Sequence, residues 1–177
     1  MPSQALKQLS LKPQDLLVTL KVAINPARSL LLSDLSNELG LALSIVHRCV
    51  GRAEQARLLT RSTGALRTSP ASVKEFVIHG ARYAFPGQLG TLTQGIPTAI
   101  GGPVLAELFE VAATMPPVWP DPSGSTWGPS LQPLHPCVPF AARTDKALHV
   151  VLSLLDALRV GAAREREIAV LKLEELL

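Results

Sequence analysis

At 177 residues with 47% apolar side chains, the chain is long enough for one generous domain or two small ones and apolar enough to bury a core, which excludes a disordered charged tail. It holds no run of eighteen apolar residues, and its start, MPSQALKQLSLKPQD, lacks the apolar segment of a signal peptide, so a soluble, cytoplasmic protein with no membrane partner is expected. The net charge of +3 is unevenly spread: residues 1–69 carry nine Lys/Arg against four Asp/Glu, whereas residues 70–177 are net −2, which puts a polyanion-facing surface at the N-terminal end.

Two cysteines, Cys49 and Cys137, are too few for a disulfide framework and are not spaced with histidines as in a zinc site, so neither a metal nor another cofactor is expected. Cys49 reads as a small buried residue beside a helix core face.

Ser10-Leu11-Lys12-Pro13-Gln14-Asp15 has the signs of a helix start: a serine cap, a proline in the first turn and an acid at the positive end of the dipole. Leu16, Leu17, Leu20, Ala23 and Ile24 follow at helical spacing until Asn25-Pro26. Ser33-Asp34 begins a second helix with Leu35 and Leu39 inward, and Gly40 lets the chain leave it. A third helix restarts within about three residues. It sets Val46, Val50 and Ala53 on one face and Ser44, His47, Arg48 and Gly51 on the other. Leu58–Arg61 and Ala65–Thr68 read as two short strands around a Ser62-Thr63-Gly64 loop.

Residues 12–68 thereby resemble the winged helix-turn-helix domain of bacterial transcription regulators, in the broad style of the MarR and IclR families. The likeness rests on the Leu35…Leu39-Gly40-Leu41 turn, the Ser44-x-Val46-His47-Arg48 helix start and the Glu54-Gln55-Ala56-Arg57-Leu58-Leu59 exit into the wing. It implies double-stranded DNA as partner, with Leu43, Ser44, His47 and Arg48 toward the major groove and Arg52, Arg61 and Arg67 on phosphates. Two positions depart from the pattern. Ala42 stands where a Ser or Thr often caps the third helix, and Arg57 replaces the usual glycine before the wing.

Ser69-Pro70 opens a further helix through Val73, Phe76, Val77 and Tyr83, closed by Phe85-Pro86. From residue 86 to 139 the chain then holds eleven of its fifteen prolines and seven of its twelve glycines, so ordered loop, short extended pieces or a flexible flap is expected, with a short helix only at Val104–Thr114. Three readings stand for this section: a disordered linker, an irregular wrap over the core, or a surface that docks a partner protein. Phe109, Trp119, Trp127 and Phe140 favour the wrap. Thr144-Asp145 caps a helix with the stripe Leu148, Val151, Leu152, Leu155 and Leu158, Gly161 breaks it, and a last helix carries Ile168, Val170, Leu171, Leu173 and Leu177. Two adjoining apolar helices suggest a homodimer.

The expected fold is mainly α with a small β-hairpin wing: a winged helix-turn-helix over 1–69, then a dimerisation or regulatory region over 70–177 with a loop-rich section at 86–139. Tyr83-Ala84-Phe85-Pro86, Val118-Trp119-Pro120 and Asp156–Gly161 followed by Arg164-Glu165-Arg166 are also similar to winged-helix proteins of toxin–antitoxin-like operons, which implies a cognate toxin or a small-molecule effector as a further partner. No enzyme is expected, because His47, His79, His135 and His149 are scattered and GxSxG, P-loop and CxxC patterns are missing. The alternative is a protein-interaction module whose winged helix does not read DNA.

Overall fold

Pro13 opens α1 (Pro13–Ala23), its missing N–H harmless in a first turn. The computed structural model describes residues 10–62, 64–109 and 115–177. The α1 cap lies at Lys12 rather than Ser10: the Asp15 carboxylate turns back and accepts the Lys12 backbone N–H at 2.8 Å. Helix α2 (Leu32–Leu39) begins in the same way, with Asp34 accepting the Leu31 N–H at 2.9 Å. It ends at Gly40, whose φ of +65° suits glycine. Helix α3 (Leu43–Gln55) leads into an antiparallel hairpin of β1 (Leu59–Ser62) and β2 (Ala65–Thr68). Thr63, in the expected hairpin loop, lies outside the described residues.

Next comes one helical rod in three parts: α4 (Pro70–Glu75), a π-helical turn (Phe76–Gly80) and α5 (Ala81–Ala84). Strand β3 (Leu89–Pro97) then heads a three-stranded sheet with β4 (Val118–Pro120) and β5 (Thr126–Leu131). β3 is antiparallel to both, and Val118 and Ser130 link β4 to β5 by a parallel pair. A short α6 (Leu105–Leu108) lies between β3 and β4; the rest of the helix expected at Val104–Thr114 runs into residues 110–114, outside the described set. Helices α7 (Val138–Thr144), α8 (Lys146–Val160) and α9 (Ala163–Leu176) complete the chain.

The chain is therefore mixed α and β, and within 86–139 the short extended pieces at 89–97, 118–120 and 126–131 pair into a sheet, where unpaired loop or wrap was the expectation. Its prolines escape the rule against proline in strands by standing at strand ends, as Pro97 and Pro120 do, or where the ladder thins, as Pro129 does. Three of its glycines, Gly95, Gly124 and Gly128, answer to close backbone approach. A Cβ on Gly124 would fall 2.2 Å from the Gly95 backbone, and one on Gly95 would fall 2.1 Å from the Trp119 carbonyl oxygen. A buried polar node fastens the sheet to α8. Asp156 accepts from Trp119 Nε1 at 2.6 Å, Thr98 Oγ1 at 2.8 Å and Arg159 Nη1 at 2.5 Å, and Arg159 also reaches the Phe85 carbonyl at 2.8 Å. On the outer side, the register puts Leu92 and Trp127 on one face, about 60% exposed each.

α8 lies at the centre. Leu148, Val151, Leu152, Leu154, Leu155 and Leu158 are all buried against the same chain, in one apolar cluster that runs from Leu16 to Leu173. Its stripe is thus closed within the protomer and is not free to pair two copies; of the two C-terminal helices only α9 shows large apolar side chains outward, Leu171 and Leu176. None of the described helices is long and apolar enough to cross a membrane.

Lys21, 2% exposed, ties the first helices to α8 by lying 2.5 Å from both Glu38 and Asp145. Asp145 also caps α8 as expected, accepting the Leu148 N–H at 3.0 Å. Hydrogen bonds from Arg28, seconded by Lys21, hold Glu38 down at about 2 from an ordinary 4.5. At Asp145 burial alone would raise the carboxyl, but Lys21 and the backbone N–H groups outweigh it and the net shift is downward. A carboxylate depressed by folding contributes stability above its unfolded pKa and loses it as pH falls through the folded one. The urea midpoint should therefore drop between about pH 4.5 and 2. Glu38→Gln should flatten that drop, and identical pH profiles for the two proteins would refute the assignment.

Candidate nucleic-acid interface

The turn from α2 to α3 is built from both sides. Gly40 and Leu41 both donate to the Ser36 carbonyl, while Ser36 Oγ donates to the Leu41 carbonyl at 2.6 Å. A Cβ on Gly40 would lie 3.0 Å from the Phe140 ring of α7, so that face of the turn must stay bare. Ala42 is extended and offers no side-chain cap, as its lack of a hydroxyl requires; the α3 amides before Ile45 point out from an uncapped first turn.

Helix α3 then divides by face. Val46, Cys49, Val50 and Ala53 are buried, whereas Leu43, Ser44, His47 and Arg48 are exposed together. The side chains of Ser44, His47 and Arg48 have no intrachain hydrogen bond or ion pair among the described residues. Gly51 follows on this helix, and a Cβ placed there would meet nothing within 4 Å. A mid-helix glycine costs roughly 1 kcal/mol against alanine, and no packing inside this chain calls for it.

The expected arginines divide. Arg61, on β1, is exposed and donates from Nε to Glu54 of α3 at 2.8 Å. Arg67, on β2, is half-buried and donates to the Arg28 carbonyl at 3.2 Å. Arg52 departs from the expected phosphate role. Its Nε and Nη2 clasp the fully buried Asp15 at 2.7 and 2.6 Å, and Nη2 also approaches the Cys49 sulfur at 3.7 Å. A guanidinium so held serves the packing of α1 on α3. Burial and Asp15 together push the Cys49 thiol up to about 12, which leaves it protonated and inert.

Arg57 has a role that its sequence position only hinted at. Its φ is +59°, in the left-handed region, and the Leu58 N–H to Ala53 carbonyl (2.9 Å) and Arg57 N–H to Glu54 carbonyl (3.0 Å) bonds make a Schellman ending for α3. The position has the backbone that glycine usually supplies, occupied by a cation. Among the described residues no set of three His, Cys, Asp or Glu side chains is placed to hold a metal ion. No family model, curated protein or solved structure matches the chain.

Two measurements test this geometry. Arg52→Ala should lower the unfolding free energy by about 3 kcal/mol, because it strands a buried carboxylate; a loss under about 1 kcal/mol, as at an exposed pair, would contradict the clamp. Gly51→Ala should raise urea stability by about 0.5–1 kcal/mol, and a destabilised variant would mean that the space is occupied.

Proposed function

We propose that residues 12–68 form a winged helix-turn-helix and that the protein is a sequence-specific DNA-binding transcription regulator, acting as a dimeric repressor. The observation that carries this reading is the outward face of α3, where Ser44, His47 and Arg48 stand together without internal partners. Arg48 has the fork geometry for guanine O6 and N7, and Ser44 and His47 can accept or donate at base edges. Gly51 supports the reading because a bare helix surface lets another backbone come close. The uncapped amides at Leu43 and Ser44 suit a phosphate oxygen, and Arg61 adds positive charge from the hairpin. By the resemblance noted above, the reading extends to an operon of toxin–antitoxin type, with a cognate toxin or a small molecule as its signal.

A second reading is favoured by one observation, the exposed Leu92 and Trp127 on the sheet. The stretch from Phe85 to Ala106, which includes Leu92, contains no charged residue, and protruding apolar side chains suit a protein partner. Under that reading the chain is a protein-interaction module whose winged helix does not read DNA.

Gel retardation on the DNA upstream of the protein's own gene separates the two. The first reading expects retardation at low salt that fades as salt rises. It also expects Arg48→Ala to weaken binding by about 10- to 100-fold and Arg82→Ala to leave it unchanged. Absence of retardation at low salt, or indifference to Arg48→Ala, would leave the interaction module standing.

A further inference from the structure

A cleft of about 600 Å³ opens where the link between α3 and β1 faces the α4–π–α5 rod. Leu11, Leu58 and Phe76 line it with apolar surface, Arg57 stands on the link side, and Glu75 and His79 stand on the rod. Glu75, Phe76 and His79 share one helical face by their spacing. Arg57 and Glu75 border the same cleft, yet among the described residues neither forms an ion pair or side-chain hydrogen bond, with each other or with anything else.

Two backbone irregularities meet at this cleft. Arg57 holds a left-handed φ of +59°, a backbone that strains a residue with a Cβ. Opposite it runs the π-helical turn Phe76–Gly80, a rare conformation concentrated at functional sites. Within that turn a Cβ on Gly80 would come 3.0 Å from the Phe76 ring, so glycine keeps the ring in its place at the wall. Strain of this kind persists where the surroundings hold it, and it gathers at ligand sites.

We propose that the cleft binds a free α-amino acid with an apolar side chain: its carboxylate on Arg57, its ammonium on Glu75, and its side chain against Leu58 and Phe76. A simple anion would satisfy Arg57 and face Glu75 with like charge; a simple cation would do the reverse. A neutral apolar molecule would leave both walls unpaired. A zwitterion complements both, and the volume lies within the range of small-molecule sites. Because Arg57 and Leu58 join α3 to the hairpin, occupancy would alter the α3 surface. That consequence rests on the DNA reading above; the binding itself does not, and it is measured without DNA.

Isothermal titration of the full chain with L-phenylalanine and with L-leucine tests the site. One equivalent of either should bind. 3-Phenylpropionate, which lacks the ammonium, and 2-phenylethylamine, which lacks the carboxylate, should bind at least about tenfold more weakly than L-phenylalanine. Arg57→Gln and Glu75→Gln should each weaken L-phenylalanine by a similar factor, with thermal melts showing both variants folded, while Arg82→Gln should leave it unchanged. No binding of either amino acid at about 10 mM, equal binding of the one-charge analogues, or indifference to both substitutions would overturn the proposal.

Discussion

Asp15 has no exposed surface, and a carboxylate in that position is tolerable only when its oxygens are taken up by donors. Oδ2 accepts from the Lys12 backbone N–H and from Arg52 Nε, and Oδ1 accepts from Arg52 Nη2. The same side chain therefore starts α1 and holds α3 against it. Once α3 is fixed, its Schellman ending sets the direction of β1, and the turn at Gly40 sets α2 against Phe140. The clamp also decides which face of α3 turns outward: Arg52 and Cys49 face in, while Ser44, His47 and Arg48 face out.

A second buried carboxylate does for the sheet what Asp15 does for the helices. Asp156 gathers Trp119, Thr98 and Arg159, and Arg159 extends the hold to the carbonyls of Phe85 and Gln132 at 2.8 and 3.3 Å. His149, its imidazole pKa pushed down by burial, donates from Nε2 to the Pro97 carbonyl at 2.9 Å and packs on Trp119. Between the two systems Lys21 bridges Glu38 of α2 and Asp145 at the cap of α8. The helix pair that carries the candidate interface is thus joined by ion pairs to the helix at the centre of the core.

Much of this was legible in the sequence where local rules decide. The glycine at the end of α2, the apolar faces of α1 and α3, the hairpin strands and the Asp145 cap follow from spacing and from the conformations particular residues favour. The strands between 89 and 131 were hidden because proline and glycine ordinarily argue against strands. Here Gly95, Gly124 and Gly128 answer to backbones that come within a Cβ's reach, a long-range fact with no local signature. Arg52 reads from the sequence as a phosphate contact for a similar reason: its partner Asp15 is 37 residues away on another helix, and helical spacing alone cannot tell a phosphate contact from an ion pair. The stripe on α8 gave burial correctly but could not say that the same chain supplies the cover. From the sequence Arg57 shows as a charge in place of the usual glycine; its left-handed backbone shows what that position demands.

Amide-resolved NMR titration of the full chain with a duplex at low salt tests the proposed meeting of the outward face of α3 with double-stranded DNA. Shift changes and broadening should gather at Leu43, Ser44, His47, Arg48 and Arg61, diminish as salt is raised, and spare the amides of Leu148 to Leu158. A spectrum unchanged by DNA, or changes centred on Leu92 and Trp127 with α3 untouched, would contradict it.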